Sequence, residues 1–142
     1  MDLELEDYYR SSWTEYFKEI TIVASKRSSC SQVNVGCILV KDNRIISMGY
    51  NGFLPNLPYL SIIRDNIEFG TIHAEQNAII DCAKRGVNCS NSEAYITHFP
   101  CINCFKILLA SGITKIYYIN DYKNDQIVYQ LSIISNIPII KI

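Results

Sequence analysis

The sequence lacks a basic excess and a long apolar run, and each absence excludes a class of protein. It has 13 lysines and arginines against 14 aspartates and glutamates, and its formal charge is −1. The cations are scattered, unlike the basic stripe of a nucleic-acid-binding protein. No apolar run approaches the roughly 20 residues of a membrane-spanning helix. We therefore expect neither a nucleic acid nor a membrane among its partners.

The N-terminal segment is acidic where a secretory leader would be basic. It begins MDLELEDYYR, so we expect no signal peptide and a cytoplasmic location, in a cell or in a virus-infected host. A reducing compartment disfavours disulfides. The cysteines are therefore expected to be thiols or metal ligands. They are Cys30, Cys37, Cys82, Cys89, Cys101 and Cys104.

The sequence contains enough apolar residues for a folded domain. About half of its 142 residues are apolar, which excludes a disordered chain, and the length suits a single domain over residues 1–142. Hydrophobic periodicity predicts the order α-β-β-α-β-α-β-α-β. Because strands and helices alternate after the first hairpin, we expect mostly parallel pairing there, with helices on both faces of the sheet.

The predicted elements have approximate bounds. They are helix 12–28, strands 33–40 and 44–51, helix 73–85, strand 94–99, helix 101–111, strand 115–120, helix 124–135 and strand 137–142. Residues 52–70 carry two prolines and predict an irregular loop.

Two short motifs bring metal-ligating residue types to predicted helix starts. Pro100 precedes Cys101 and Cys104, which share one face of a first turn, where unpaired N–H groups and the helix dipole favour thiolates. His73 and Glu75 lie at another helix start. One imidazole and two thiolates give the ligand count of a catalytic zinc site, which keeps a fourth position for water. Glu75 is then the acid that moves protons beside the metal.

Each motif alone allows other interpretations. C-x-x-C also fits a redox pair or half of a structural zinc site, and H-x-E by itself has little specificity. The two motifs together, each before a predicted helix, favour a catalytic zinc site over both. Their order resembles the signature H-x-E…P-C-x-x-C of zinc-dependent nucleobase deaminases.

From Lys26 to about Ile119 the chain closely resembles deoxycytidylate (dCMP) deaminases of bacterial and viral type. G-Y-N-G together with H-A-E-x-N-A-I separates that family from free cytidine deaminases, which have Cys in place of this His. Transfer-RNA adenosine deaminases lack G-Y-N-G. The matching segments are S-K-R-S-S-C (25–30), V-G-C-I-L-V-K-D-N-R-I-I (35–46), G-Y-N-G (49–52), I-H-A-E-Q-N-A-I (72–79), T-H-F-P-C-x-x-C (97–104) and S-G-I-T-K-I (111–116).

The resemblance implies a cytidine deaminase-like α/β fold, a three-layer α/β/α sandwich with a five-stranded mixed sheet. It implies one catalytic zinc ion per chain and hydrolysis of dCMP to dUMP and ammonia, which supplies dUMP for thymidylate synthesis. The zinc ligands implied by the resemblance are His73, Cys101 and Cys104, and Glu75 matches the proton shuttle. The implied substrate contacts are Asn51, Ala74, Arg27 and Tyr122.

The resemblance further implies a homo-oligomer, between dimer and hexamer, and dCTP and dTTP as allosteric effectors. Many relatives carry a longer segment between G-Y-N-G and H-A-E, with extra Cys or His for a second, structural zinc. Here residues 53–72 contain neither residue type. Cys30 matches one ligand of that second zinc but lacks the other ligands, so one zinc ion per chain is expected. This loop borders the family's substrate and regulatory sites, so its shortness weakens the expectation of allosteric control.

Two alternatives stay open at this point. One is a deaminase of another substrate, such as dCTP, a nucleoside or a transfer-RNA adenosine, although the low charge argues against a polynucleotide. The other is a zinc-stabilised binding protein with an inactive site. The presence of residues at all four catalytic positions argues against it. His98, beside the cysteines, is expected to pack next to the site and not to ligate the metal.

Overall fold

Helices and strands alternate from residue 74 onward in a computed structural model that describes residues 10–142. The acidic segment on which the absence of a signal peptide was argued lies, apart from Arg10, outside the described residues. Within residues 10–142 every helix is too short or too polar to span a membrane. In chain order the elements are α1 (Trp13–Ser25), β1 (Gly36–Lys41), β2 (Arg44–Tyr50), β3 (Gly52–Phe53), β4 (Ile63–Arg64), β5 (Ile67–Glu68), β6 (Thr71–Ile72), α2 (Ala74–Arg85), β7 (Glu93–His98), α3 (Ile102–Ala110), β8 (Lys115–Asn120), α4 (Gln126–Ser135) and β9 (Ile139–Lys141).

The long strands form one mixed sheet in the order β2-β1-β7-β8-β9. Strand β1 is antiparallel to both β2 and β7. The pairs β7–β8 and β8–β9 are parallel, each joined by a helix that crosses between its strands. The predicted five-stranded mixed sheet and its parallel second half are therefore confirmed.

Alternating side chains of β1 bury against different helices on the two faces of the sheet. Ile38 and Val40 join Phe17 and Ala24 of α1 in one core. Cys37 and Leu39 join a second core with the inner side chains of α2, α3 and α4. Burial of these apolar side chains is the main force that holds helices on a sheet. The three-layer sandwich expected from the resemblance is thereby confirmed.

The first strand begins three residues later than predicted because a side chain takes its backbone partners. The Oδ1 atom of Asn51 accepts a hydrogen bond from the Val35 N–H at 2.8 Å. Its Nδ2 donates to the Val33 carbonyl at 2.7 Å. Residues 33–35 are therefore held chiefly by the Asn51 amide side chain, together with the Asn51 backbone N–H, which donates to the Val35 carbonyl at 3.1 Å.

The prediction of an irregular loop over residues 52–70 was wrong in part, because the segment contains short antiparallel pairs. Strand β3 pairs with β6, and β4 pairs with β5. Between β4 and β5, Asp65 and Asn66 adopt φ values of 53° and 60°. A tight hairpin turn needs two such residues, and Asp and Asn tolerate this backbone conformation.

Candidate active site

Helix α2, which carries His73 and Glu75 at its start, lies unusually close to strand β2. A Cβ atom added to Gly49 would come within 2.4 Å of the Ala74 carbonyl oxygen, so only glycine allows this approach. The Asn77 amide donates to the Tyr50 carbonyl, and the Ser47 hydroxyl donates to the Ala78 carbonyl at 2.7 Å. The backbone of G-Y-N-G thus positions the first turn of α2.

His73 and Cys101 precede the first turns of α2 and α3, and these two helix starts converge. The His73 Nδ1 atom lies 3.7 Å from the Cys101 Sγ and 3.3 Å from the Cys104 Sγ. Among residues 10–142, the side chains that converge closely enough to hold a metal ion are these three, with their ligand atoms within 4.8 Å of one another.

The electrostatics of the three groups favour a thiolate at Cys101. A hydrogen bond from the Cys104 thiol, with further bonds from His73 and the Cys104 N–H, lowers the pKa of Cys101 to about 4. The same pairing raises the pKa of the Cys104 thiol. The hydrogen bond to Cys101 raises the pKa of His73. A metal ion would replace the protons that these groups now share.

Glu75 is buried beside this cluster, with 4% of its surface exposed. Burial, above all, raises the pKa of its carboxyl group, since the charged form loses its hydration. A raised pKa brings a carboxyl group closer to neutral pH, where an acid–base catalyst works best. Glu75 is therefore suited to taking up and releasing a proton.

A cleft of about 330 Å³ opens over the cluster. Its volume lies at the lower end of the range for small-molecule sites. The cleft contains most of the site residues expected from the sequence. They are Asn51, His73, Ala74, Glu75, Cys101 and Tyr122. Val33, Val35 and Phe99 add apolar surface to the lining, and apolar surface suits the faces of a flat ring.

Asn51 borders the cleft but most of its hydrogen-bonding capacity is used inside the protein. Its Oδ1 accepts from the Ser28 hydroxyl and from the Val35 N–H. Its Nδ2 group has two N–H bonds and donates one of them to the Val33 carbonyl, so the other N–H stays available to a ligand. Asn51 thus orders the cleft wall as well as facing the cleft.

The structure separates Arg27 from the other expected contacts. Arg27 lines a neighbouring cavity of about 370 Å³ together with Tyr50. Its guanidinium lies 5.6 Å from the centre of the Tyr50 ring. Lys123 lines the cleft instead, and its ammonium lies 5.3 Å from the centre of the Tyr122 ring. Sequence reasoning missed Lys123, although it directly follows Tyr122 in N-D-Y-K.

His98 packs at the side of the cleft, away from the three converging groups. Its Nδ1 is 2.8 Å from the Thr97 hydroxyl, and its ring meets Tyr122 edge to face, with centroids 5.7 Å apart. Burial lowers the pKa of His98. This placement agrees with the expected packing role.

Residues 11–120 match the family described as cytidine and deoxycytidylate deaminase zinc-binding region. ComE operon protein 2 from Bacillus subtilis is 40% identical over 118 residues, which cover 80% of this chain and 62% of that protein. Deoxycytidylate deaminase from Mycobacterium phage D29 is 32% identical over 124 residues, 77% of this chain and 95% of the phage protein.

A solved structure is similar over nearly the whole chain. It is the dCMP deaminase of cyanophage S-TIM5 in complex with dCMP and dUMP. The two chains share a TM-score of 0.80 and 27% identity, over 95% of this chain and all of the phage chain.

Fold, ligand cluster and buried carboxylate all agree with the family that the sequence matches. The chain belongs to the cytidine and deoxycytidylate deaminase family. It spans 62% of the length of the Bacillus relative and 65% of a Drosophila melanogaster relative called probable deoxycytidylate deaminase.

The donor set fits the zinc ion that this family binds. Two sulfur atoms and one imidazole nitrogen suit zinc, and the pKa of Cys101, lowered to about 4, favours the thiolate that binds it. His73 and Cys101 are open to the cleft, whereas Cys104 is buried. The cluster is thus closed on the protein side and open on the cleft side, as a catalytic site requires.

We expect purified protein to contain about one zinc ion per chain, with sulfur ligands at about 2.3 Å. Cys101→Ser and Cys104→Ala should lose the metal, because each removes one of three ligands. Metal analysis after dialysis against a chelator measures this. Cys89→Ser, a half-buried cysteine outside the cluster, is the matched control and should keep its zinc. Two tightly bound ions per chain would contradict the expectation.

Proposed function

We propose that this chain catalyses the hydrolysis of dCMP to dUMP and ammonia. The observation that carries the proposal is the cluster of His73, Cys101 and Cys104 beside the buried carboxyl of Glu75, in a cleft of about 330 Å³. The phage D29 relative is named deoxycytidylate deaminase, and the similar cyanophage structure contains dCMP and dUMP, which supports the same substrate for this chain. We propose His73, Cys101 and Cys104 as the ligands of one catalytic zinc.

Glu75 is the proposed acid–base group. Zinc bound there would lower the pKa of a water molecule and so provide a nucleophile at neutral pH. Glu75 accepts the proton that this water loses and transfers it to N3 of the cytosine ring. Once the water oxygen has added to C4, Glu75 takes the remaining proton of that oxygen and delivers it to the 4-amino nitrogen. The C4–N bond then breaks, ammonia leaves and C4 becomes the carbonyl of dUMP. The direction of its pKa shift suits a group that both accepts and donates.

The cleft walls are proposed to hold the nucleotide around this reaction. Ala74 offers the backbone of the first turn of α2, and Asn51 offers its remaining N–H. Tyr122 and Lys123 lie together on the cleft wall, and we propose them as phosphate contacts. Arg27, suggested for the same role by the resemblance, lies in the neighbouring cavity, so we expect it to contribute less.

We also propose a homo-oligomer, between dimer and hexamer, in the cytoplasm of a cell or an infected host. Exposed apolar side chains on α4 support an interface, since Ile133 and Ile134 are 79% and 80% exposed. A reducing compartment would preserve the thiols that bind zinc. The cavity beside Arg27 is a candidate site for the phosphates of dCTP or dTTP as effectors.

Ammonia release from a panel of substrates tests the proposed activity. We expect dCMP to be used with a kcat/KM at least about tenfold above that of dCTP, deoxycytidine or a transfer RNA, because the cleft offers one cation for a monophosphate and little basic surface for a polynucleotide. Equal use of deoxycytidine would reject the nucleotide assignment. No ammonia from any substrate by zinc-loaded protein would reject the deaminase.

Glu75→Gln should lower kcat by at least about 10²-fold, since general acid–base catalysis is typically worth 10²- to 10⁴-fold. The amide keeps the shape of the carboxyl group but cannot carry the proton. Zinc content should stay at the wild-type value, which separates loss of proton transfer from loss of metal. Near-normal turnover would remove Glu75 from the mechanism.

The phosphate contacts are tested with two substrates that differ in the phosphate alone. Lys123→Ala should reduce kcat/KM for dCMP by about tenfold or more, because it removes one charge-assisted contact. It should leave any slow turnover of deoxycytidine nearly unchanged. Arg27→Ala is the comparison and should have the smaller effect on dCMP. Equal losses on both substrates would show a structural role for Lys123. A larger loss of dCMP activity in Arg27→Ala would identify Arg27 as the main phosphate contact.

A further inference from the structure

Residues 53–72 form one wall of the cleft without a core of their own. Asn66, Ile67, Glu68 and Thr71 from this segment line the cleft, opposite the residues of the metal cluster. Large apolar side chains of the segment face outward, with Tyr59, Leu60 and Ile63 exposed at 78%, 62% and 61%. Apolar burial therefore contributes little to its conformation. The segment also contains no cysteine or histidine that could bind a metal and clamp it.

A single carboxylate joins both ends of the inner hairpin of this segment. The Glu68 Oε1 accepts hydrogen bonds from the Ile62 N–H and the Gly70 N–H, each at 2.8 Å. The Glu68 Oε2 accepts from the Ser61 hydroxyl. These bonds, that of Ser61 foremost, lower the pKa of Glu68. Hydrogen bonds to an ionised acceptor are stronger than neutral ones.

The backbone passes so closely here that one position must be glycine. A Cβ atom on Gly70 would lie 2.1 Å from the Leu60 carbonyl oxygen and 2.7 Å from the Glu68 Oε1. The Phe69 N–H also donates to the Ile62 carbonyl at 2.7 Å. Residues 60–62 and 68–70 are thus in contact, and the Glu68 side chain lies at their junction.

We propose that Glu68 is a positioning residue, which ties residues 61–62 to residue 70 and so holds Asn66 and Ile67 at the cleft wall for substrate. The proposal deepens the proposed function and rests on it for the identity of the substrate. Glu68 takes no part in proton transfer. If these hydrogen bonds are lost, the formed hairpin becomes a minor state. The apparent affinity for substrate is then the intrinsic affinity multiplied by the fraction of molecules in which the hairpin is formed. Bound substrate restores the hairpin, so turnover at saturation is preserved.

The test compares zinc-loaded wild-type protein with Glu68→Gln and Asp65→Asn. The glutamine keeps the size of the side chain but has one oxygen where three donors converge. Asp65 is on the same hairpin, in its turn, and its substitution removes the same charge without touching the tie. Hydrogen exchange of the backbone amides of residues 61–70, measured by mass spectrometry without substrate, reports how well the Glu68 hydrogen bonds hold the hairpin. KM and kcat for dCMP report how the state of the hairpin affects substrate binding and turnover.

We expect exchange over residues 61–70 to accelerate about tenfold in Glu68→Gln and to stay at the wild-type rate in Asp65→Asn. KM for dCMP should rise about tenfold, with kcat within about twofold, if the formed fraction falls to about one tenth. Saturating dCMP should return the exchange rate to the wild-type value. Zinc content should be the same in all three proteins.

Other outcomes overturn the proposal in distinguishable ways. Wild-type exchange in Glu68→Gln would show that the carboxylate does not hold the hairpin. Faster exchange with unchanged KM would show that the hairpin does not serve substrate binding. A fall in kcat with unchanged KM would place Glu68 in the chemistry. If wild-type protein does not use dCMP but exchange still responds to Glu68→Gln, the proposed substrate fails and the tie stands.

Discussion

The close approach of α2 to β2 at Gly49 is the constraint on which the site depends. Because a Cβ there would be 2.4 Å from the Ala74 carbonyl oxygen, a larger residue would push the helix start away from the sheet. His73 and Glu75 would move with it, and the His73 nitrogen now 3.3 Å from the Cys104 sulfur would lose its place. Backbone hydrogen bonds of Tyr50 and Ala78 to side chains reinforce the same contact.

Two helix starts meeting at one point provide the electrostatics that the cluster needs. Helix N-termini carry unpaired N–H groups and partial positive charge, which stabilise a thiolate, and the Cys104 N–H does point at the Cys101 sulfur at 3.4 Å. Glu75 has the opposite environment, because it is buried and its pKa is raised. Around these two helix starts the pKa of the Cys101 thiol is lowered and the pKa of the Glu75 carboxyl is raised, which suits the proposed division between metal binding and proton transfer.

Features that depend on local sequence could be predicted, and features that depend on contacts between distant residues could not. The order of the long elements followed from hydrophobic period, and the pairing of H-A-E with C-x-x-C followed from helix-start chemistry, so both were predictable. The late start of β1 was not, because it depends on Asn51, sixteen residues from Val35, taking its N–H. The positions of Arg27 and Lys123 depend on which way neighbouring loops turn, and the positive φ of 46° at Lys123 has no signal in the residue type.

The cleft therefore has two walls of different physical origin. One wall consists of α2 and α3 starts packed on the sheet, and its geometry follows from core burial and from Gly49. The other consists of residues 53–72, whose turn at Asp65 and Asn66 is local but whose junction depends on Glu68 reaching residues 61, 62 and 70. The sequence motifs fall on the first wall, whose residues are those proposed for zinc binding and proton transfer. The second wall can change in length and sequence while the chemistry persists, so differences in substrate preference among relatives are expected to arise there.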